Sequence, residues 1–175
     1  DVEQLNKWAL DGELDVTKLS YYAFTYCVED YALLDSGSAL GNNCGPLLIK
    51  KPETILAPES KIAIPGKYTT ANMLLGLAFP EYQNKVETLF SDIENDVIEG
   101  KVEAGLIIHE NRFTYQDKGL GKVKDLGEFW EEETQLPIPL GGIVVKRILP
   151  LEIQQKLERV LRKSVEYAFE TPNSS

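Results

Sequence analysis

Apolar residues recur at helical spacing near both ends of the chain. Val2, Leu5 and Trp8 predict a short first helix that ends near Gly12. The segment "LPLEIQQKLERVLRKSVEYAFE" predicts a long amphipathic helix at the other end, with Pro150 near its first turn. Its expected apolar stripe is Ile153, Leu157, Val160, Leu161 and Ser164.

Between these two helices, short apolar strands alternate with further predicted helices. Strands are expected in "ELDVTKLSYYAF", "LLIKK", "KIAI", "KVEAGLII" and "LGGIVVKRI". Helices are expected from Thr69 or Thr70 to about Ala78, within "VETLFSDIENDVIEG", and within "LGEFWEEETQ". This alternation favours an α/β fold with largely parallel strands.

Composition narrows the class of protein and its partners. The 175 residues are 43% hydrophobic and 26% charged, which is typical of a globular protein. No apolar run approaches the roughly 20 residues of a membrane-spanning helix, so no membrane partner is expected. A net charge of -10 repels phosphate backbones, so no nucleic acid is expected either. Two cysteines without metal-binding spacing, and no visible secretory signal, indicate reduced thiols and a cytoplasmic location.

One pattern occurs twice along the chain. When Gly12 is superposed on Gly100, "LNKWALDGELDVTKLSY" aligns with "IENDVIEGKVEAGLIIH", each being a helix, a glycine and a strand. The match is short, and any two helix–strand units can produce it. If the two units belong to facing lobes, the strand ends at Ser20 and Ile108 occupy equivalent places.

The single histidine, His109, follows the apolar run of "GLIIHENRFTY" where a predicted strand reaches the surface. Ligands collect at the carboxyl ends of parallel strands, and an imidazole with an unperturbed pKa of about 6.5 accepts a proton near neutral pH. The residues alone favour an ordinary surface or hydrogen-bonded histidine, because no triad or metal pattern lies nearby. Glu110 and Arg112 either orient this imidazole or simply solvate a loop.

A second candidate site is the helix start in "PGKYTTAN". Backbone N–H groups and the hydroxyls of Thr69 and Thr70, beside Ala71, suit a carboxylate or a polyol, although simple N-capping explains one threonine. A third is the polar end of the first strand, "TKLS". "GSALGNNCG" lacks the spacing of a dinucleotide or phosphate-binding loop, so nucleotide binding is not predicted.

Several segments together resemble a known family. "LNKWALDGELDVTKLSY", "SGSALGNNCGPL", "PGKYTTA", "GKVEAGLIIHENRFTY", "DLGEFWEEETQLPIPLGG" and "RKSVEYA" are similar, in that order, to the 1,4-dihydroxy-6-naphthoate synthase family of the futalosine route to menaquinone. The likeness covers almost the whole chain. Family members begin with a strand and an "SPCPNDT"-like loop and continue further at the other end, so the resemblance implies a fragment whose first lobe is incomplete.

The resemblance implies a two-lobed fold like that of type II periplasmic solute-binding proteins, with the substrate held between the lobes. On this basis residues 1–58 are expected to form part of the first α/β lobe, residues 59–146 the second lobe, and residues 147–175 a helix returning to the first. It implies no metal and no organic cofactor. It indicates no oligomeric state.

The resemblance also implies an activity and its residues. The family is a carbon–carbon lyase acting on cyclic dehypoxanthinylfutalosine, a carboxylated small molecule, and its histidine, here His109, is the expected general base. Its substrate contacts correspond to Lys18, Leu19, Ser20, Thr70 and Ala71. The alternatives are a non-catalytic binding protein for a small carboxylate and the sister chorismate dehydratase type, whose equivalent strand is not followed by histidine.

Overall fold

The computed structural model describes residues 1–42, 44–108 and 112–172. Within these ranges the elements, in chain order, are α1 (Val2–Leu10), β1 (Val16–Ser20), α2 (Tyr21–Cys27), β2 (Tyr31–Leu33), β3 (Ala39–Gly41), β4 (Leu47–Lys50), β5 (Ile62–Ile64), α3 (Thr70–Ala78), β6 (Lys85–Glu87), α4 (Ile93–Ile98), β7 (Ala104–Ile107), a 3-10 helix (Tyr115–Lys118), β8 (Gly121–Asp125), α5 (Leu126–Thr134), β9 (Ile138–Lys146) and α6 (Leu151–Glu170). The chain divides into two units. The first unit is Asp1–Leu40 with Pro139–Ser175, and the second is Gly41–Ile138.

The sheet of the first unit has the strand order β1-β9-β2, and β3 also pairs with β9. Both β1 and β2 run antiparallel to β9, with Leu19 opposite Gly142 and Ser20 opposite Gly141. A side chain at Gly141 would meet the Leu19 carbonyl at 2.6 Å, so β1 and β9 approach closely at this point. Helix α1 packs against β1.

The sheet of the second unit has the order β6-β5-β7-β4-β8. Strand β5 runs parallel to β6 and β7, whereas β4 runs antiparallel to β7 and β8. Helix α4 covers β7 so closely that a methyl group on Gly105 would lie 2.4 Å from the Ile93 side chain. The surrounding core consists of Leu47, Ile49, Ala63, Ile93, Val97, Val102, Ile107, Tyr115 and Leu120.

Three sequence expectations about these elements are wrong. The strands are mixed rather than largely parallel, because β4, β8 and β9 each form antiparallel pairs. Residues 21–27 form helix α2 instead of extending the strand before them; its buried residues, Ala23 and Cys27, are one helical turn apart. Residues 85–98 are not one helix, since β6 pairs with β5 before α4 begins.

The helices predicted near the two ends of the chain form, but their burial differs from the expected apolar stripes. In α1 the buried residues are Glu3, Asn6 and Ala9, while Trp8 is exposed. In α6 no residue is fully buried, and the expected stripe residue Val160 is 58% exposed. None of the helices in the described ranges is both long and apolar enough to cross a bilayer.

The division into units differs from the expected boundaries near residues 58 and 146. Strand β4 belongs to the second unit because it pairs with β7 and β8. Most of β9 belongs to the first unit because it pairs with β1 and β2. The chain therefore changes units at residues 40–41 and 138–139.

The helix–glycine–strand pattern seen twice in the sequence recurs in both units. Helix α1 ends at Leu10 and α4 at Ile98, and each is followed by a glycine with positive φ, 67° at Gly12 and 73° at Gly100. The left-handed conformation favours glycine there, since it carries no side chain to clash. Strands β1 and β7 then begin at equivalent positions.

Candidate active site

Two of the predicted site segments leave the second sheet at one edge. Strands β5 and β7 are neighbours and parallel, with Ala63 opposite Gly105. Their carboxyl ends therefore lie at the same edge of the sheet. The first leads to the start of α3, and the second ends at Ile107, two positions before His109. His109 itself lies outside the described residues.

The burial pattern of β7 agrees with a strand that reaches the surface at its end. All four residues from Ala104 to Ile107 are buried, and Ile108 is partly exposed. The residue that follows in sequence is the chain's single imidazole. Residues 107–108, which lead to His109, therefore lie at the edge of the sheet from which α3 starts.

The helix start after β5 is fixed by Thr69. Its hydroxyl accepts a hydrogen bond from the Asn72 N–H at 3.2 Å and donates one to the Gly66 carbonyl at 2.8 Å. Thr69 therefore acts as the N-cap of α3, and its hydroxyl is engaged in both directions. Thr70 and Ala71 form the first turn, whose backbone N–H groups are directed towards the N-terminal end of the helix. Both residues are buried.

Arg112 attaches the chain shortly after His109 to two other segments. Its guanidinium donates to the Gly45 carbonyl at 2.9 Å and to the Asp125 carboxylate at 3.0 Å. The Asp125 side chain is only 5% exposed, and its second oxygen accepts from the Gly127 N–H at 2.8 Å. Arg112 is thus an anchored ion-pair partner rather than a solvated loop residue.

In the first unit, Ser20 lies at the carboxyl end of β1 and belongs to a buried polar network. Its N–H donates to the Asn6 side-chain oxygen at 2.9 Å, and its hydroxyl lies 3.2 Å from the Asn6 side-chain nitrogen. That nitrogen also lies 3.0 Å from the Glu3 carboxylate. All three residues are at most 4% exposed.

The other two residues of the first-strand segment have different surroundings. Leu19 is fully buried, so its side chain contributes to the core and only its backbone is suited to polar contact. Lys18 is exposed on the opposite face of β1, as alternation along a strand requires. Lys18 and Ser20 lie on the same face of β1, but Lys18 is exposed and Ser20 is buried.

The sequence interpretation did not single out Glu3, Asn6 and Asp125, which belong to the polar networks around Ser20 and Arg112. For α1 the only signal was position, since Glu3, Asn6 and Ala9 lie three residues apart and thus on one helix face. For Asp125 the signal was an acid directly before the helix "LGEFWEEET", which is typical of an N-cap. Across the described ranges, no group of three or more His, Cys, Asp or Glu side chains is arranged to hold a metal ion.

Solved structures share this fold. A crystal structure of an Archaeoglobus fulgidus protein superposes with a TM-score of 0.90 at 39% identity, covering 99% of this chain and 65% of that one. The periplasmic aliphatic sulphonate binding protein of Escherichia coli gives a TM-score of 0.62 at 14% identity, covering 98% of this chain and 61% of that one. The fold is therefore α/β and periplasmic-binding-protein-like.

Two sequence relatives are named for one enzyme activity. The chain is 45% identical over its whole length to the 1,4-dihydroxy-6-naphthoate synthase of Thermus thermophilus and 41% identical to that of Streptomyces coelicolor. It spans 64% of the length of each. Residues 1–175 also match the family described as menaquinone biosynthesis. The chain belongs to this menaquinone biosynthesis family.

Proposed function

We propose that the protein is a carbon–carbon lyase that converts cyclic dehypoxanthinylfutalosine to 1,4-dihydroxy-6-naphthoate in the cytoplasm. The observation that carries the proposal is the identity of 45%, over the whole of this chain and 64% of the relative, to a protein named for that product. The parallel arrangement of β5 and β7 supports it, because it places the approach to His109 beside the start of α3.

In this proposal His109 is the general base. A neutral imidazole removes the proton of a substrate hydroxyl, a carbonyl forms at that carbon, and the adjacent carbon–carbon bond breaks as in a retro-aldol reaction. The released electron pair is held as an enolate, which takes the proton back from the imidazolium and becomes a phenol as the new ring turns aromatic. Aromatisation provides much of the driving force, and the step requires no metal or organic cofactor.

The remaining residues bind the substrate. N–H groups of the first turn of α3, at Thr70 and Ala71, suit the carboxylate, since helix N-termini favour negative charge. Ser20, Lys18 and the Leu19 backbone are the contacts proposed from the first strand. Thr69 has a structural part in this scheme, because capping α3 keeps the first-turn donors in place.

Turnover by a His109→Asn variant tests the proposal. Loss of a general base is expected to lower kcat by about 100-fold or more, with little change in KM. Asp117→Asn serves as the matched control, because it removes an exposed titratable side chain from the 3-10 helix that follows soon after His109. Undiminished turnover by His109→Asn refutes the general-base assignment. Binding of the naphthoate by unmodified protein that lacks turnover favours the non-catalytic binding alternative.

A further inference from the structure

The orientation of the Asn6 side-chain amide is set by its neighbours. The Ser20 N–H can only donate, so the Asn6 atom 2.9 Å from it is the oxygen. The Glu3 carboxylate accepts, so the Asn6 atom 3.0 Å from it is the nitrogen. The reversed amide would set donor against donor and acceptor against acceptor. Helix α1 therefore presents a fixed N–H to the Ser20 hydroxyl.

This arrangement determines whether the Ser20 hydroxyl donates or accepts in its hydrogen bond with Asn6. An amide nitrogen accepts no hydrogen bond, so at 3.2 Å the Ser20 oxygen must be the acceptor from Asn6. The hydroxyl proton then points away from Asn6. The hydroxyl oxygen of an N-cap serine ordinarily accepts a hydrogen bond from a backbone N–H in the first turn of its helix. Ser20 is the N-cap of α2, but its side chain makes no such bond.

Within the described part of the chain, the Ser20 hydroxyl proton therefore has no hydrogen-bond acceptor, although the residue is only 4% exposed. A buried donor without an acceptor is unfavourable, and an acceptor atom supplied by a ligand removes that cost. A ligand group that only donates, such as an ammonium, reaches only the second lone pair of the Ser20 oxygen and leaves the hydroxyl proton without an acceptor.

We propose that Asn6, whose amide is oriented by Glu3, is a positioning residue. It directs the Ser20 hydroxyl proton towards an oxygen of the bound substrate. The proposal rests on the proposed function, which places Ser20 among the substrate contacts. It adds two residues to the site and specifies that the ligand atom at Ser20 is an oxygen acceptor, such as a carboxylate or carbonyl oxygen.

The test measures the affinity of the full chain for 1,4-dihydroxy-6-naphthoate by calorimetry. Ser20→Ala removes the donor and is expected to weaken binding by about 10- to 100-fold, the value of a hydrogen bond to a charged acceptor. Asn6→Asp replaces the fixed N–H with a carboxylate oxygen, so the Ser20 proton turns inward and binding weakens to a similar extent. In a Ser20→Ala background, Asn6→Asp should change affinity by less than about 2-fold, since the two act through one bond.

Two further variants separate positioning from folding. Asn95→Asp is the matched control, because it introduces the same charge on an exposed face of α4 and should leave affinity unchanged. The pair Glu3→Gln with Asn6→Asp restores a donor–acceptor contact in the network while still presenting a carboxylate oxygen to Ser20. It should recover urea resistance relative to Asn6→Asp alone but not affinity.

Several results overturn the proposal. The first two are unchanged affinity in Asn6→Asp and additive losses of affinity when Asn6→Asp is combined with Ser20→Ala. The others are recovery of affinity when Asn6→Asp is combined with Glu3→Gln, and absence of binding by the unmodified chain. The binding assay involves no proton transfer to His109. Failure of the proposed chemistry in the His109→Asn turnover assay is therefore distinguishable from failure of the Ser20 assignment.

Discussion

Replacing Arg112 by alanine tests the anchor that attaches the chain shortly after His109. The substitution removes both guanidinium bonds, one to the Gly45 carbonyl and one to Asp125, and leaves a carboxylate that is only 5% exposed. Breaking a buried ion pair by deleting one partner costs about 3–5 kcal/mol.

The lower end of that range applies to Arg112→Ala. Asp125 keeps its bonds from the Gly127 and Glu128 N–H groups, at 2.8 and 3.2 Å, and the Arg112 side chain is 17% exposed. We therefore expect a loss of about 3 kcal/mol in the free energy of unfolding, or roughly a 100-fold change in the unfolding equilibrium. Arg112→Lys keeps the charge but not the planar fork that reaches both acceptors, so its loss should be intermediate.

Tryptophan fluorescence during urea unfolding measures this loss. The chain has two tryptophans, and a Trp8→Phe background leaves only Trp130, on the helix α5 that Asp125 caps. Lys122→Ala is the matched control: its contact with Glu128 spans 3.9 Å between exposed side chains and is worth less than about 1 kcal/mol. A loss below about 1 kcal/mol for Arg112→Ala, or a loss equal to that of Lys122→Ala, refutes the anchor.

Three other predictions concern packing, capping and pH. Gly105→Ala should cost about 1–3 kcal/mol by overpacking against α4, while Gly121→Ala, with its nearest atom at 3.8 Å, should cost far less; equal urea midpoints would contradict the packing. Thr69→Ala should cost about 1 kcal/mol through loss of the α3 cap, and Thr69→Ser should restore it; failure of the serine variant to do so counts against the cap. Burial, followed by nearby negative charge, raises the pKa of Tyr31 above 10.0, so its contribution to stability is present below pH 10 and is lost as pH rises through the higher folded-state value. Alkaline unfolding curves should therefore be flatter for Tyr31→Phe, and a curve as steep as that of the unmodified protein would contradict this assignment.

Local signals in the sequence were sufficient for the segment from β5 to α3. Apolar residues at Ile62–Ile64 and a capping threonine predicted a strand and a helix, and the structure confirms both. The same holds for Gly12 and Gly100, whose positive φ follows a helix end in both units. Each of these features depends on residues within a few positions of one another.

Features that depend on distant residues were not predictable in this way. Strand direction in the second sheet is set by the pairing of β4 with β7 and β8, which lie more than fifty residues further along the chain. Aromatic residues of α2 favour a strand by propensity, but burial of Ala23 and Cys27 on one helical face outweighs that preference.

The candidate site was predictable only where it coincided with strand ends and helix starts. Ser20 and the Thr69–Ala71 segment were found because polar residues follow apolar runs. Glu3 and Asn6 were not found, because polar residues on a helix ordinarily face solvent. Their burial becomes intelligible only with the Ser20 backbone and hydroxyl as partners.

The most direct test of the account uses the fact that the chain contains one histidine. In a proton–carbon NMR spectrum of the ring C–H groups, all imidazole signals therefore belong to His109. On saturation with 1,4-dihydroxy-6-naphthoate, monitored in parallel by calorimetry, we expect these signals to shift, because a general base lies against the reacting part of its ligand. Signals that stay in place while the ligand is fully bound contradict the assignment of His109 to the active site.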